Sequence, residues 1–204
     1  MPPLVLASAS PRRRALLSAL GLAFELVIPD VDESVLPGET ARAHVERLAA
    51  AKTRAASSLV AARAALVLAA DTTVTLDGTI LGKPQDAAEA LAMIERLSGR
   101  CHDVLTACRL LRTDDGRQAS ATVRSAVRFR PWDEALARWY VATGEPMDKA
   151  GAYALQGRGV LLTDGIEGSW SNVVGLPLEA LPALFAEVGD DLSRRIMEGG
   201  RGGC

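Results

Sequence analysis

Four groups of residues in this 204-residue chain have the types and spacing for phosphate chemistry. The first is the stretch Ser8, Ala9, Ser10, Pro11, Arg12, Arg13, Arg14, where an apolar run gives way to a helix start. Backbone N–H groups at a helix N-terminus attract an anion, and arginine adds a planar fork matched to phosphate oxygens. Successive helical residues point about 100° apart, so the three arginines cannot all face one ligand; Arg14 is the one expected outside. The second is Asp71, directly after the apolar run ALVLAA. Ligands gather at the carboxyl ends of strands in α/β sheets, where an acid can hold a metal or take a proton from water. The third is Asp32 with Glu33, in a loop rich in acids and turn formers. Two acids from separate loops can share Mg²⁺, whose preference for hard oxygen suits a phosphate substrate. The fourth is Lys52, Lys83 and Lys149. Each group alone has a plainer reading as solvated charge or turn. Together they are what hydrolysis of a polyphosphate requires, because the leaving pyrophosphate and the attacking water both need stabilisation.

The elements that must position these residues follow from the hydrophobic pattern. Pro3 to Ala7 reads as a buried strand, after which Ser10 is a good N-cap and Pro11 a good first helical residue, with Leu16, Leu17 and Leu20 as the apolar stripe and Gly21 as the stop. Ala23 to Ile28 reads as a second strand. A long helix is predicted from about Ala41 to Ala62, with Val45, Leu48, Ala49, Lys52 and Ala56 facing inward. Lys52 must then snorkel to an edge or reach a buried cleft. Residues 65 to 70 read as a buried strand ending at Asp71, and Asp77-Gly78 between β-formers reads as a two-residue hairpin. Asp86 and Glu89 make a capping box for a helix carrying Leu91, Ile94 and Leu97. Two strands follow, Val104 to Leu111 and Ala119 to Arg130. A helix from about Trp132 to Thr143 has Leu136, Trp139 and Tyr140 inward; then come a glycine-rich loop with a short strand at Val160 to Thr163 and a last helix ending at Val188. The mixture implies one α/β domain with a mixed α+β sheet over residues 1–190, followed by a flexible tail over 191–204.

Composition narrows the choices. The formal net charge is −2 and aromatic residues are 4% of the chain, which argues against a nucleic-acid-coating surface and leaves few stacking platforms. No apolar run approaches the roughly 20 residues of a membrane span, and the start has no signal-like segment, so a soluble, cytoplasmic protein is expected. The three cysteines lack a paired C-x-x-C spacing, which makes a disulfide framework or structural zinc improbable; Cys101 and Cys108 read as small buried apolar residues. His44 and His102 are too isolated for a metal cluster. There is no G-x-x-x-x-G-K-[ST], no G-x-G-x-x-G after a strand and no G-x-S-x-G.

The motifs SASPRRRALL, DVDES, AAAKTRA, AADTTVTLDGTILGKP, LSGRCHDVLTA, DKAGAYALQG and NVVGLP, in that order from Leu4 to about Leu178, resemble the Maf family of nucleoside triphosphate pyrophosphatases. The resemblance implies a two-lobed fold like that of the inosine triphosphatases with a deep central cleft, a divalent cation (Mg²⁺ or Mn²⁺), and hydrolysis of a nucleoside triphosphate to the monophosphate and pyrophosphate. It also implies a homodimer. Asp71 would be the general base, while Ser8, Arg12, Arg13, Glu33, Lys52 and Lys83 would line the phosphate and metal site, with Glu33 and Asp71 as metal ligands. Arg12, Thr72 and Gln156 resemble the set in the branch that hydrolyses dTTP and UTP. A sister branch acts on 7-methyl-GTP, and the family's link to septum inhibition leaves a non-catalytic nucleotide sensor as a second class. A glutamine amide offers both a donor and an acceptor to uracil or thymine, but flipped it also suits cytosine, so a neighbour must fix its orientation. Arg12, a donor with no acceptor, is one such neighbour.

Overall fold

The computed structural model describes residues 1–60 and 63–199. Its strands are β1 (Leu4–Ala7), β2 (Glu25–Val27), β3 (Leu66–Leu76), β4 (Thr79–Leu81), β5 (Cys101–Arg112), β6 (Gln118–Phe129) and β7 (Thr163–Glu167). They form one mixed sheet in the order β2-β1-β3-β5-β6-β7, with β4 added to β3. β1 runs parallel to β2 and β3, and the other pairs are antiparallel. The helices are α1 (Pro11–Ala19), α2 (Ala41–Leu59), α3 (Ala87–Leu97), α4 (Glu134–Ala142), α5 (Trp170–Val174), α6 (Leu181–Glu187) and α7 (Leu192–Gly199).

Local chemistry sets several of these boundaries. The Ser10 hydroxyl accepts from Arg13 N, and Pro11 occupies the first turn of α1. Asp86 Oδ1 accepts from Glu89 N at 2.8 Å, while Glu89 Oε2 accepts from Gln85 N at 2.7 Å, one residue before the usual return of a capping box. Asp77 and Gly78, at φ 51° and 79°, form the left-handed pair that turns β3 into β4.

Side chains alternate across a strand, so the sheet has two distinct faces. On one, Val5, Ala7, Val67 and Ala69 pack against Ala56 of α2, and Leu105 and Ala107 continue the contact with Val45 and Ala49. The other face carries two separate cores. Leu6, Leu68, Cys108 and Leu110 meet Leu17 of α1 and Leu184 and Phe185 of α6. Farther along the same strands, Val74, Val104, Val127 and Phe129 meet Ile94 of α3 and Tyr140 of α4. The row between these cores is polar, with Thr72 directly opposite Thr106 across β3 and β5. The edge of β3 opens at the same level: β1 stops at Ala7 opposite Ala69, and β4 pairs only from Val74. The two lobes and the gap between them thus come from strand length and from one row of side chains.

Several expectations require correction. The strand through residues 65–70 does not end at Asp71 but continues to Leu76, because Thr72 to Leu76 alternate well for a sheet and the Asp71 carboxylate is paired within the fold. Trp139 is exposed on α4, which buries Ala137 and Tyr140 instead. Residues Arg158–Leu162 form a 3₁₀ segment, and the strand begins only at Thr163. Cys101 is exposed, whereas Cys108 is buried as expected. The segment after residue 190 is not simply a tail, since Leu192–Gly199 is helical and buries Leu192 and Arg195, the latter hydrogen-bonded to Asp190 and to Pro2 O. Residues 200–204 lie outside the described residues, as does the predicted end of α2 at Ala62.

The second core holds a buried histidine. His102 is 3% exposed, its Nε2 lies 2.8 Å from the Tyr153 hydroxyl, and its ring meets the Phe129 and Tyr153 rings edge to face. Burial pushes its imidazolium pKa down to about 4, although nearby Asp103 partly opposes the shift. The unfolded chain therefore takes up this proton first. Its contribution to stability is complete above about pH 6.5 and declines as pH falls toward 4, by up to about 1.4 kcal/mol per pH unit. Urea unfolding between pH 6.5 and 5 should show that slope, and His102→Gln, which can keep the bond to Tyr153, should flatten it.

Candidate active site

A cavity of about 300 Å³ lies in the gap between the lobes. Ser8, Arg12, Arg13, Glu33, Lys52, Asp71, Thr72, Lys83 and Gln156 all line it, so these residues, distant in sequence, converge on one hollow. Arg14 is exposed and outside it, as expected. Asp32 does not line it; its carboxylate accepts from Ser34 N within its own loop. Lys149 lines it, but its ammonium is held by Asp148 and by Glu145 O.

On the α2 side, Lys52 is the centre. Its Nζ donates to Asp71 Oδ1 at 2.7 Å and reaches Glu33 Oε1 at 2.5 Å, while Lys83 lies 3.4 Å from Glu33 Oε2. Lys52 and Asp71 are both about nine-tenths buried, which leaves neither partner an alternative in bulk water. Burial opposes ionisation of Glu33, yet the hydrogen bonds and charges of Lys52 and Lys83 outweigh it and hold its carboxyl below the usual range. Lys52 thus screens two carboxylates that would otherwise repel, and each keeps an oxygen away from it. No group of three or more His, Cys, Asp or Glu side chains able to hold a metal occurs among the described residues. Two carboxylates still match a Mg²⁺-like ion, which commonly takes one or two from the protein and the rest from waters and substrate phosphates. Glu33 and Asp71 fit that donor set.

On the opposite face, Arg13 is buried, and desolvation lowers its pKa against the raising influence of Asp71. Its Nε donates to Gly175 O at 2.7 Å, Nη1 to Ser8 Oγ at 3.3 Å and Nη2 to Thr72 Oγ1 at 3.0 Å. A guanidinium has five N–H donors, so two remain for the cavity. Gly175, at φ 126°, caps α5 and turns its carbonyl onto this arginine. The Ser8 hydroxyl also accepts from Ser10 N at 3.1 Å; with two donors on its oxygen, its own proton is the group it can offer a ligand. Arg12 stands at the cavity mouth, 3.6 Å from Asp148 across the gap.

Gln156 is presented by a loop fixed from behind. Ala154 N donates to the Tyr140 hydroxyl at 3.2 Å, and the Glu145 carboxylate accepts from Arg158 N and Gly159 N, each at 3.1 Å. Gly151, at φ +69°, lets the chain pass so close to Val74 that a Cβ would lie 3.0 Å from its side chain, and Gly151 N donates to Gly82 O. That bond ties the Gln156 segment to the residue beside Lys83. Among the described residues the Gln156 side chain makes no hydrogen bond. Val74, Val104, Val173 and Tyr153 give this end of the cavity an apolar wall, while cations and carboxylates line the other. The arrangement suits a planar, hydrogen-bonding ring at one end and a polyanionic tail at the other.

Sequence reasoning missed Asp148, Tyr153 and the buried row Thr106 and Asn172. Thr106 and Asn172 fall within the quoted stretches LSGRCHDVLTA and NVVGLP, and a lone threonine in the apolar strand VLTACRLL was a further signal for Thr106, but neither residue was given a role.

Comparison with known proteins finds similarity along most of the chain. A family model described as Maf-like protein matches residues 3–188. The dTTP/UTP pyrophosphatase of Anaeromyxobacter sp. (strain Fw109-5) is 52% identical over 193 residues, covering 93% of this chain and 91% of that protein. That of Burkholderia pseudomallei (strain 1710b) is 53% identical over 190 residues, covering 88% and 90%. That of Myxococcus xanthus (strain DK1622) is 52% identical over 189 residues, covering 91% and 92%.

Removing one member of a buried ion pair leaves the other without compensation. Lys52→Met should therefore lower unfolding stability by about 3 kcal/mol at neutral pH. Combining it with Asp71→Asn should recover part of the loss, and chemical denaturation of the two single variants and the double variant measures the coupling.

Proposed function

This chain belongs to the Maf family, and on that premise we propose that it is a hydrolase that cleaves dTTP and UTP to the monophosphate and pyrophosphate. The observation that carries the proposal is the ammonium of Lys52, bound to both Asp71 and Glu33, in one cavity with Ser8, Arg12, Arg13, Lys83 and Gln156. The named relatives above are dTTP/UTP pyrophosphatases, which fits the set Arg12, Thr72 and Gln156.

The residues divide the work by position. The N-terminus of α1, with Ser8, Arg12 and Arg13, receives phosphate oxygens from one side, and Lys83 receives them from the other. These cations oppose the charge that builds on the departing pyrophosphate and cost no reorganisation, because Arg13 is already anchored to Gly175, Ser8 and Thr72. A water attacks phosphorus; the P–O anhydride bond breaks, and the attacking water's proton passes to Asp71 through the carboxylate oxygen not bound to Lys52. Lys52 fixes the direction of that carboxylate. A divalent cation, Mg²⁺ or Mn²⁺, would be held by Glu33 and Asp71 and would supply charge neutralisation for the triphosphate. No helix among the described residues is long and apolar enough to cross a membrane, and we place the reaction on the cytoplasmic nucleotide pool.

Purified protein with Mg²⁺ or Mn²⁺ should release pyrophosphate from dTTP and UTP. Asp71→Asn, nearly the same shape, should lower kcat by about 10²- to 10⁴-fold with the fold intact. Nucleotide binding without turnover in the unaltered protein would replace the hydrolase with a sensor, and preferred turnover of 7-methyl-GTP would move it to the sister branch. Gln156→Ala should erode the preference among bases while retaining part of the turnover; an unchanged preference would remove Gln156 from base recognition.

A further inference from the structure

The polar row between the two cores has a fixed direction of hydrogen bonding. Thr106 Oγ1 is fully buried and donates to Asn172 O at 2.9 Å. A hydroxyl has one proton, so the 2.9 Å contact between Thr106 Oγ1 and Thr72 Oγ1 takes its proton from Thr72. The competing acceptor for that proton, Gly175 O, is farther away at 3.4 Å. Thr72 Oγ1 already accepts from Arg13 Nη2 at 3.0 Å. The chain thus runs from Arg13 to Thr72, to Thr106, to Asn172 O, with every donor pointing the same way. Thr72 enters the cavity with its proton committed and one lone pair free, an acceptor only.

That polarity bears on pyrimidine choice. Uracil and thymine carry a proton on N3, whereas cytosine carries a lone pair there. An acceptor facing N3 attracts the first two and repels the third, so the repulsive contact contributes specificity along with the attractive one. An acceptor of fixed polarity thus adds a discrimination that the Gln156 amide, which suits cytosine when flipped, does not supply on its own. We propose that Thr106, which touches no ligand, is a positioning residue that sets the base preference of the site by holding Thr72 as a hydrogen-bond acceptor. The proposal rests on the dTTP/UTP pyrophosphatase reading given above.

The test compares Thr106→Val with Thr106→Ser and the unaltered protein. Pyrophosphate release from UTP and CTP is measured in steady state, and calorimetric binding of UMP and CMP is measured in parallel because it needs no turnover. Losing one neutral hydrogen bond's orientation should lower the UTP:CTP ratio of kcat/KM in Thr106→Val by roughly 3- to 10-fold, chiefly through a higher KM for UTP. The UMP:CMP affinity ratio should fall alongside it. Thr106→Ser keeps the hydroxyl and should keep the preference. Thr106→Ala removes the hydroxyl without adding a methyl group near Asn172, and it gives the same reading should the valine variant fail to fold. A uniform loss for UTP and CTP would overturn the proposal, as would loss of preference in Thr106→Ser or equal binding of UMP and CMP by the unaltered protein. Absence of pyrophosphate release by the unaltered protein would sink the hydrolase reading alone, since the binding ratios still judge Thr106.

Discussion

A guanidinium removed from water must find partners for its donors, and Arg13 finds them in three different elements. Gly175 belongs to the end of α5, Ser8 to the end of β1, and Thr72 to the open stretch of β3. Satisfying this one side chain fixes the junction between the lobes. Beyond it, the hydrogen bonds pass through Thr106 to Asn172, whose amide donates to Val104 O and Ser125 Oγ. Apolar side chains fill the sheet face on either side of this line, so a slip of one strand by a single residue would bury the polar groups against hydrocarbon. The same row that divides the core specifies the register of the sheet.

The two faces of β3 then have separate duties. Asp71 faces α2, where Lys52 neutralises it; Thr72 faces the seam, where Arg13 and Thr106 orient it. Adjacent residues on an extended strand point in opposite directions, and that alternation places an acid-base group and a base-reading group within one residue of each other. It works only because β1 ends early and β4 begins late, which leaves this short part of β3 open at its edge. The site is a consequence of mismatched strand lengths as much as of its charged residues.

Much of this was legible in the chain. The caps at Ser10 and Asp86, the Asp77-Gly78 hairpin and the inward stripe of α2, including its anomalous Lys52, all rest on local rules and are realised. The convergence of distant charges was legible only through their joint presence and the family resemblance. What escaped was set by partners distant in sequence. Asp71 reads as a strand terminator until Lys52 is placed beside it, and Trp139 reads as core until Ala137 and Tyr140 take that face. Thr106 and Asn172 are unremarkable residues whose importance lies in which groups they face. No periodicity encodes that.

On this reading one seam receives the pyrimidine on the Thr72 side and the triphosphate between the start of α1 and the Lys52–Lys83 side. A crystal structure with a non-hydrolysable UTP analogue and Mg²⁺ tests it most directly. The ring should lie against Val74 and Val104, with N3 near Thr72 and Gln156, and the phosphates between Arg12 and Lys83 beside Asp71. A nucleotide in the reverse orientation, or one seated away from Arg13 with the Thr72–Thr106 row untouched, would contradict it.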